Sequence, residues 1–247
     1  MTLSYILLAT LAGGLVSVLL AALASLTALS RLASVLVSFS VGSMLAVALL
    51  DIVPEVSETL DPHRAGMWLL AGLFVFFALE KFTLWRHDHD ELDPGHDPHH
   101  HPAGVMLMVG DTLHNFVDGV MIAAAFLQSP ALGVTTAAAV ILHEVPQEVG
   151  DFMVLLHSGY TRRRALLLNL FSGFAAVVGG VLGYFALDGM RDAVPYVLCL
   201  SAASFIYIAM ADLVPELHKH RKTQDLVLQL GLAALGVLAI VALMHEH

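Results

Sequence analysis

The chain has 247 residues, of which 58% are hydrophobic and 13% charged, whereas a soluble domain carries about 25% charged residues. That excludes a soluble globular protein and marks an integral membrane protein. The formal net charge of -10 does not announce a basic partner, because the acids lie within apolar stretches and short loops rather than in a tail, so no nucleic-acid surface is expected.

A membrane span needs about 20 mostly apolar residues, and the sequence predicts eight: 3–29, 33–53, 66–84, 104–128, 131–156, 165–187, 194–216 and 225–244. They leave almost nothing for a soluble domain, so residues 1–247 read as one all-α polytopic membrane domain. The first span lacks the basic start, short apolar core and small-residue cleavage site of a signal peptide and is expected to be retained. Lone Cys199 excludes an intramolecular disulfide.

Orientation follows from the basic residues. Arg31, Lys81, Arg86, Arg162, Arg163, Arg164, Lys219, Arg221 and Lys222 stand at or after the ends of odd-numbered spans, against Arg64 and Arg191 after even-numbered ones. Odd spans are therefore predicted to end in the cytoplasm, with both termini outside, as in a plasma membrane protein (the inner membrane of a bacterium). Trp68 and Trp85 bracket the third span, about 25 Å apart at the rise of a helix, which suits an interfacial pair.

Span two closes on Asp51-Ile52-Val53-Pro54-Glu55 and span seven on Asp212-Leu213-Val214-Pro215-Glu216, a constant offset of 161. Those spans run in opposite directions, so the match predicts an inverted repeat of spans 1–3 and 6–8 around spans 4 and 5, a common transporter plan. The alternative is that proline and an acid merely punctuate helix ends. Between spans three and four, residues 86–103 form a polar, proline-containing segment expected to be a disordered cytoplasmic loop. Its His87, His89, His96, His99, His100 and His101 are candidates for weak, quickly exchanging metal binding.

Spans four and five carry the chemistry. Asp111, His114, Asn115 and Asp118 lie in one, and His143, Glu144, Gln147, Glu148 and Asp151 in the next. An ionisable group at the bilayer centre costs about 2.5–3.5 kcal/mol on insertion scales. A chain that places several there must recover that cost by coordinating something. On a helix Asp111, His114 and Asp118 fall within about 60° of one another, while His143 and Gln147 sit one turn apart beside a stripe of Glu144, Glu148 and Asp151. Imidazole, carboxylate and amide oxygen together suit Zn²⁺, and also Fe²⁺, Mn²⁺ or Cd²⁺, and the lack of thiolates argues against Cu(I). Pro146 should kink span five and free the carbonyl of Leu142 near the ion path. Gly110 and Gly119 flank the span-four ligands and permit close helix approach. Met44, on a neighbouring span, is a weaker candidate for the pathway, as are Asp51, Glu55, Asp212 and Glu216 at its mouths.

The runs His114-Asn115-Phe116-Val117-Asp118-Gly119 and His143-Glu144-Val145-Pro146-Gln147-Glu148-Val149-Gly150-Asp151 resemble the paired signatures of the ZIP family of metal-ion transporters. The eight spans, outside termini and His-rich loop are similar too. The resemblance implies a central metal site, often binuclear, on these two helices, and metal uptake toward the cytoplasm by alternating access of a moving bundle against a static one. It implies a first metal position from His114, Asp118, His143 and Gln147 and a second with contributions from Asn115 and Glu144. Gln147 stands where the fuller motif has histidine, which should soften zinc preference. Span six offers Asn169 and Ser172 where some relatives have a bridging carboxylate.

Other functions remain to be separated from this one. His143-Glu144 begins like the zinc-protease motif HExxH, but Gln147 removes the second histidine and Pro146 disturbs the helix. A cation-diffusion exporter would be expected to add a terminal metal-binding domain and to have two fewer spans, and a metal sensor would use the same ligands without transport. The expected partners are a divalent metal ion as transported substrate and the lipid bilayer. Small residues at Gly179-Gly180 and Gly183 would also permit close packing in a homodimer.

Overall fold

The computed structural model of the chain describes the backbone of residues 1–26, 30–90, 102–218 and 223–245, and all regular structure among them is helical. The order is α1 (Thr2–Leu26), α2 (Ser30–Ala46), α3 (Val53–Thr59), α4 (Pro62–Asp90), α5 (Pro102–Gln128), α6 (Pro130–His157), α7 (Arg162–Asp188), α8 (Val194–Tyr207), α9 (Val214–His218) and α10 (Thr223–His245). A π-helical segment, Val47–Ile52, joins α2 to α3, and another, Ile208–Leu213, joins α8 to α9. Six of these rods are long and apolar enough to cross a membrane. The other two, α5 and α6, have 27 and 28 residues and carry the acids and imidazoles.

The π segments correct the expectation that Asp51-to-Glu55 and Asp212-to-Glu216 end their helices. In both places the helix runs on past the proline, to Thr59 and to His218. Pro54 and Pro215 lack an amide hydrogen, and their rings would clash with the carbonyl four residues back in an α-helix. A widened turn ahead of each proline accommodates the ring without breaking the rod. The two places therefore share a backbone irregularity as well as four letters of five.

The same offset of 161 recurs in the packing. Gly42 of α2 lies so close to α10 that a Cβ there would sit 1.9 Å from the Ala233 carbonyl oxygen. Gly72 of α4 packs against α8, where a Cβ would come 2.6 Å from the Ala203 methyl. Positions 42 and 203 are related by the offset, and so are 72 and 233. Small residues allow such approach, which drives helix association where lipid removes the hydrophobic incentive.

One group of rods, α1, α5, α6 and α7, packs mutually, while α2 pairs with α10 and α4 with α8. The groups meet where α2 crosses α6 and α8 crosses α5. In α4 and α10 only 6% and 11% of the apolar window is buried, against 61% for both proline-bearing rods, so the other described residues leave most of the apolar surface of α4 and α10 uncovered. Trp68, 43% exposed, stacks obliquely on Tyr196 with ring centroids 5.1 Å apart, as suits a headgroup-level anchor.

The His-rich segment is shorter than its sequence predicts. Residues 86–90 continue α4 as far as Asp90, because adding a residue to an existing helix is far easier than starting one, and no proline intervenes before Pro94. His87 and His89 thus belong to the helix end, while His96, His99, His100 and His101 lie outside the described residues. Gly179, Gly180 and Gly183 pack within the chain: a Cβ at Gly179 would lie 2.0 Å from the Phe116 carbonyl oxygen, and one at Gly183 3.1 Å from Val120 Cα. The small-residue surface considered for a dimer is occupied by α5.

Candidate metal centre

The close seam between α5 and α7 sets the depth of the first ligands. At Gly119, one residue after Asp118, a Cβ would fall 2.0 Å from the Ala176 carbonyl oxygen, so any larger residue would push α5 away from α7. Gly110, by contrast, faces open space and contributes no such contact.

On the other side of α5 stands α6, continuous through Pro146. The carbonyl that Pro146 leaves free, that of Leu142, is not open to an ion path as expected. The Ser40 hydroxyl of α2 donates to it at 2.6 Å. This bond ties α6 to α2 one residue from the first ligand, and because its partners are 102 residues apart, no local pattern could have announced it.

Four side chains converge from these two helices: His114 and Asp118 of α5, His143 and Glu144 of α6, with one ligand atom from each lying within 4.8 Å of all the others. His114 Nε2 is 3.2 Å from His143 Nε2, 3.4 Å from Glu144 Oε1 and 3.8 Å from Asp118 Oδ2. His143 Nε2 is 3.2 Å from Asp118 Oδ2 and 3.6 Å from Glu144 Oε1. A tetrahedral ion bound at about 2.0–2.1 Å needs its ligand atoms about 3.3–3.4 Å apart. The measured separations bracket that value.

The chemistry of each group fits. His143 Nδ1 donates to the Ala139 carbonyl at 3.0 Å, which fixes the tautomer and turns the Nε2 lone pair into the cluster. Asp118 and Glu144 are 1% exposed, yet none of their four carboxylate oxygens has a hydrogen-bond partner. Carboxylates left so are expensive unless a cation neutralises them. His114 is partly open, with 21% of its side chain exposed, so the cluster has an approach.

The remaining candidates separate into groups. Asn115, 1% exposed, donates its amide to the Asp111 carboxylate at 3.0 Å. Glu148 and Asp151 are buried farther along α6, and Gln147 is partly buried beside them. Met44 is fully buried within the apolar core. Asp51 accepts a hydrogen bond from Thr135 and Glu55 accepts one from Gln128 at 2.8 Å. Asp212 is exposed, and the Glu216 side chain lies outside the described ones. Sequence reasoning missed Ser40, Thr135 and Gln128; their only signal was polarity within or at the end of apolar helices. It also missed the hydrogen bond from the Tyr207 hydroxyl to Glu80.

Comparison with known proteins identifies the family. The profile of the ZIP zinc transporter family matches residues 1–105 and 86–244. The zinc transporter ZIP13 of Pongo abelii is 31% identical over 225 residues, covering 83% of this chain and 65% of the relative. The zinc transporter YKE4 of Saccharomyces cerevisiae is 32% identical over 248 residues, covering 87% of this chain and 71% of its own length. The zinc transporter ZIP6 of Pongo abelii is 41% identical over 112 residues, or 45% of this chain and 15% of that protein. The chain spans less than two-thirds of the ZIP13 relative and only a small part of ZIP6. These relatives are transporters, which sets aside the protease suggested by His143-Glu144. An integral membrane protein with two apposed ligand helices and a buried cluster of imidazoles and carboxylates, the chain belongs to the ZIP zinc transporter family.

Proposed function

We propose that the protein carries a divalent metal ion, Zn²⁺ first and Fe²⁺, Mn²⁺ or Cd²⁺ after it, across the membrane into the cytoplasm by alternating access. The observation that carries this reading is the tetrahedral spacing of His114, Asp118, His143 and Glu144 around orphaned buried oxygens. Two imidazoles and two carboxylates match zinc, while a glutamine in place of a third imidazole at Gln147 leaves an exchangeable shell, as transport requires. Asn115 and Gln147 border the four and complete the coordination as the ion enters and leaves.

The eight rods form an inverted repeat of spans 1–3 and 6–8 around α5 and α6. Supporting this are the shared π segments and the reciprocal contacts of Gly42 with Ala233 and Gly72 with Ala203. Both termini face outside, the Asp51 and Glu55 mouth opens outward, and the Asp212 and Glu216 mouth opens to the cytoplasm. Alternating access moves α1, α5, α6 and α7 against the other rods. The hydrogen bonds from Thr135 to Asp51 and from Gln128 to Glu55 cross between the groups and hold the outer side shut. Carboxylates at a mouth raise local cation concentration before entry.

The test is uptake into proteoliposomes under zinc gradients imposed in each direction. Saturable inward movement that is lost in His114→Ala and His143→Ala, with insertion preserved, supports the reading. Movement only outward identifies an exporter. Binding without movement identifies a sensor.

A further inference from the structure

Resting on that reading and deepening it, we infer that Ser40 of α2 is a positioning residue for the metal centre. By holding the Leu142 carbonyl of α6 it sets where His143 and Glu144 stand, so the seating of α6 on α2 governs how tightly zinc is bound. The need arises within α6. Pro146 brings no amide hydrogen to the Leu142 carbonyl four residues before it, so the helix lacks a rung on the turn that carries His143 and Glu144. A rod missing a rung bends easily at that point. A bend there moves two of the four ligands.

The Ser40 hydroxyl supplies the missing donor from another helix. Ser40 is fully buried, and its oxygen lies 2.6 Å from the Leu142 carbonyl and 2.8 Å from that of Leu36. A hydroxyl has one proton to give. The Leu36 carbonyl stands four residues before the Ser40 amide in the α-helical ladder of α2, whereas the Leu142 carbonyl has no such amide. A buried acceptor without a donor is the costlier one to leave, so the proton goes to Leu142. The other contacts of His143 act on its ring. Nδ1 is bonded to Ala139 of the same helix, and the fully buried Phe205 of α8 meets the imidazole edge-on with ring centroids 6.2 Å apart. Neither holds the α6 backbone at the weakened turn.

Ser40 and Leu142 belong to the two helix groups that alternating access moves past each other. A slide of α6 along α2 by two residues, about 3 Å, would take the two oxygens beyond hydrogen-bonding distance. The site is then firm while α6 is seated on Ser40 and loosens when it leaves, which favours release. The serine at the offset of 161, Ser201 of α8, donates at 3.0 Å to Val197 of its own helix and makes no bond to α5 among the described residues. One serine engaged across the groups and its counterpart not is the asymmetry of a single state of an inverted repeat.

The experiment uses the 247-residue chain in lipid nanodiscs and measures Zn²⁺ affinity by equilibrium dialysis. Ser40→Ala should weaken binding by about tenfold, the low end of the cost of losing a ligand's outer support. Ser43→Ala removes a buried hydroxyl that donates within α2 and should bind as wild type does. In a Pro146→Ala background, where the alanine amide restores the rung, Ser40→Ala should cost no more than about twofold, a departure from additivity that a general packing role would not produce. Unchanged affinity in Ser40→Ala, an equal loss in Ser43→Ala, or the same loss with and without Pro146 would each overturn the assignment. Failure of the metal site itself reads differently: His143→Ala would then bind zinc like wild type, whereas failure of the Ser40 assignment leaves His143→Ala without that binding and Ser40→Ala with it.

Discussion

Carboxylates occur in two settings in this protein. On α3 and the π segment before it, Asp51 and Glu55 each have a donor from the opposing helix group, Thr135 and Gln128. In the middle of α5 and α6, Asp118 and Glu144 are more deeply buried and have none. A satisfied carboxylate can hold two parts of a protein together without any ligand. An unsatisfied one at 1% exposure costs several kilocalories per mole unless a cation arrives. The difference in hydrogen bonding, more than the difference in residue type, separates a latch from a binding site.

The comparison predicts unequal consequences of substitution. Replacing His143 by alanine or Asp118 by asparagine should reduce zinc uptake by about 100-fold or more, since losing a ligand exceeds the 10–100-fold cost of losing a ligand's outer hydrogen-bond partner. Normal uptake by a well-expressed His114→Ala/His143→Ala protein would erase the distinction between the two settings. Gln147→His should tighten Zn²⁺ binding by about tenfold and slow turnover, because imidazole is the better zinc ligand and transport requires release. Unchanged affinities for Zn²⁺, Cd²⁺ and Fe²⁺ would place Gln147 away from the ion.

Neutralising the mouths should have smaller effects. Asp51→Asn with Glu55→Gln should raise the half-saturating zinc concentration by about threefold at low salt, an effect that high salt masks in the wild type. Asp212→Asn with Glu216→Gln should instead lower the maximal rate. Cysteines placed at 55 and 216 in a Cys199-free chain should label from opposite sides of the membrane; labelling from one side would refute the inverted repeat. Deleting Asp88 to His101 should alter uptake by no more than about twofold while changing its metal sensitivity, because so polar and proline-containing a sequence contributes little to a packed path. Complete loss of uptake in a folded deletion protein would make the loop an obligatory part of the route.

What could be read in the sequence was whatever depends on residues close along the chain. The helical spacing of His114 with Asp118, and the adjacency of His143 and Glu144, put two ligands on each of two neighbouring helices, and the structure brings those four together. Whether Glu144 or Gln147 stands with the histidines depends on the angle between α5 and α6, which decides which face of α6 meets His114, and the four that gather include Glu144. The π segments also escaped notice: Pro54 and Pro215 announce that the α-helix must change, but ending it and widening it relieve the same clash. Contacts spanning 84 and 102 residues, Thr135 to Asp51 and Ser40 to Leu142, depend on packing that no local period encodes. At the end of α4 the polar composition points to a loop, but the ease of extending a helix already formed prevails as far as Asp90.

On the proposed reading, two imidazoles and two carboxylates bind zinc as a tetrahedron between α5 and α6. X-ray absorption at the zinc edge, on the 247-residue chain loaded with less than one equivalent, is the decisive measurement. The expected result is a four-coordinate shell at about 2.0–2.1 Å with the outer-shell scattering of two imidazoles, falling to one in His114→Ala and in His143→Ala. A six-coordinate oxygen shell without imidazole scattering, unchanged in both variants, would contradict it.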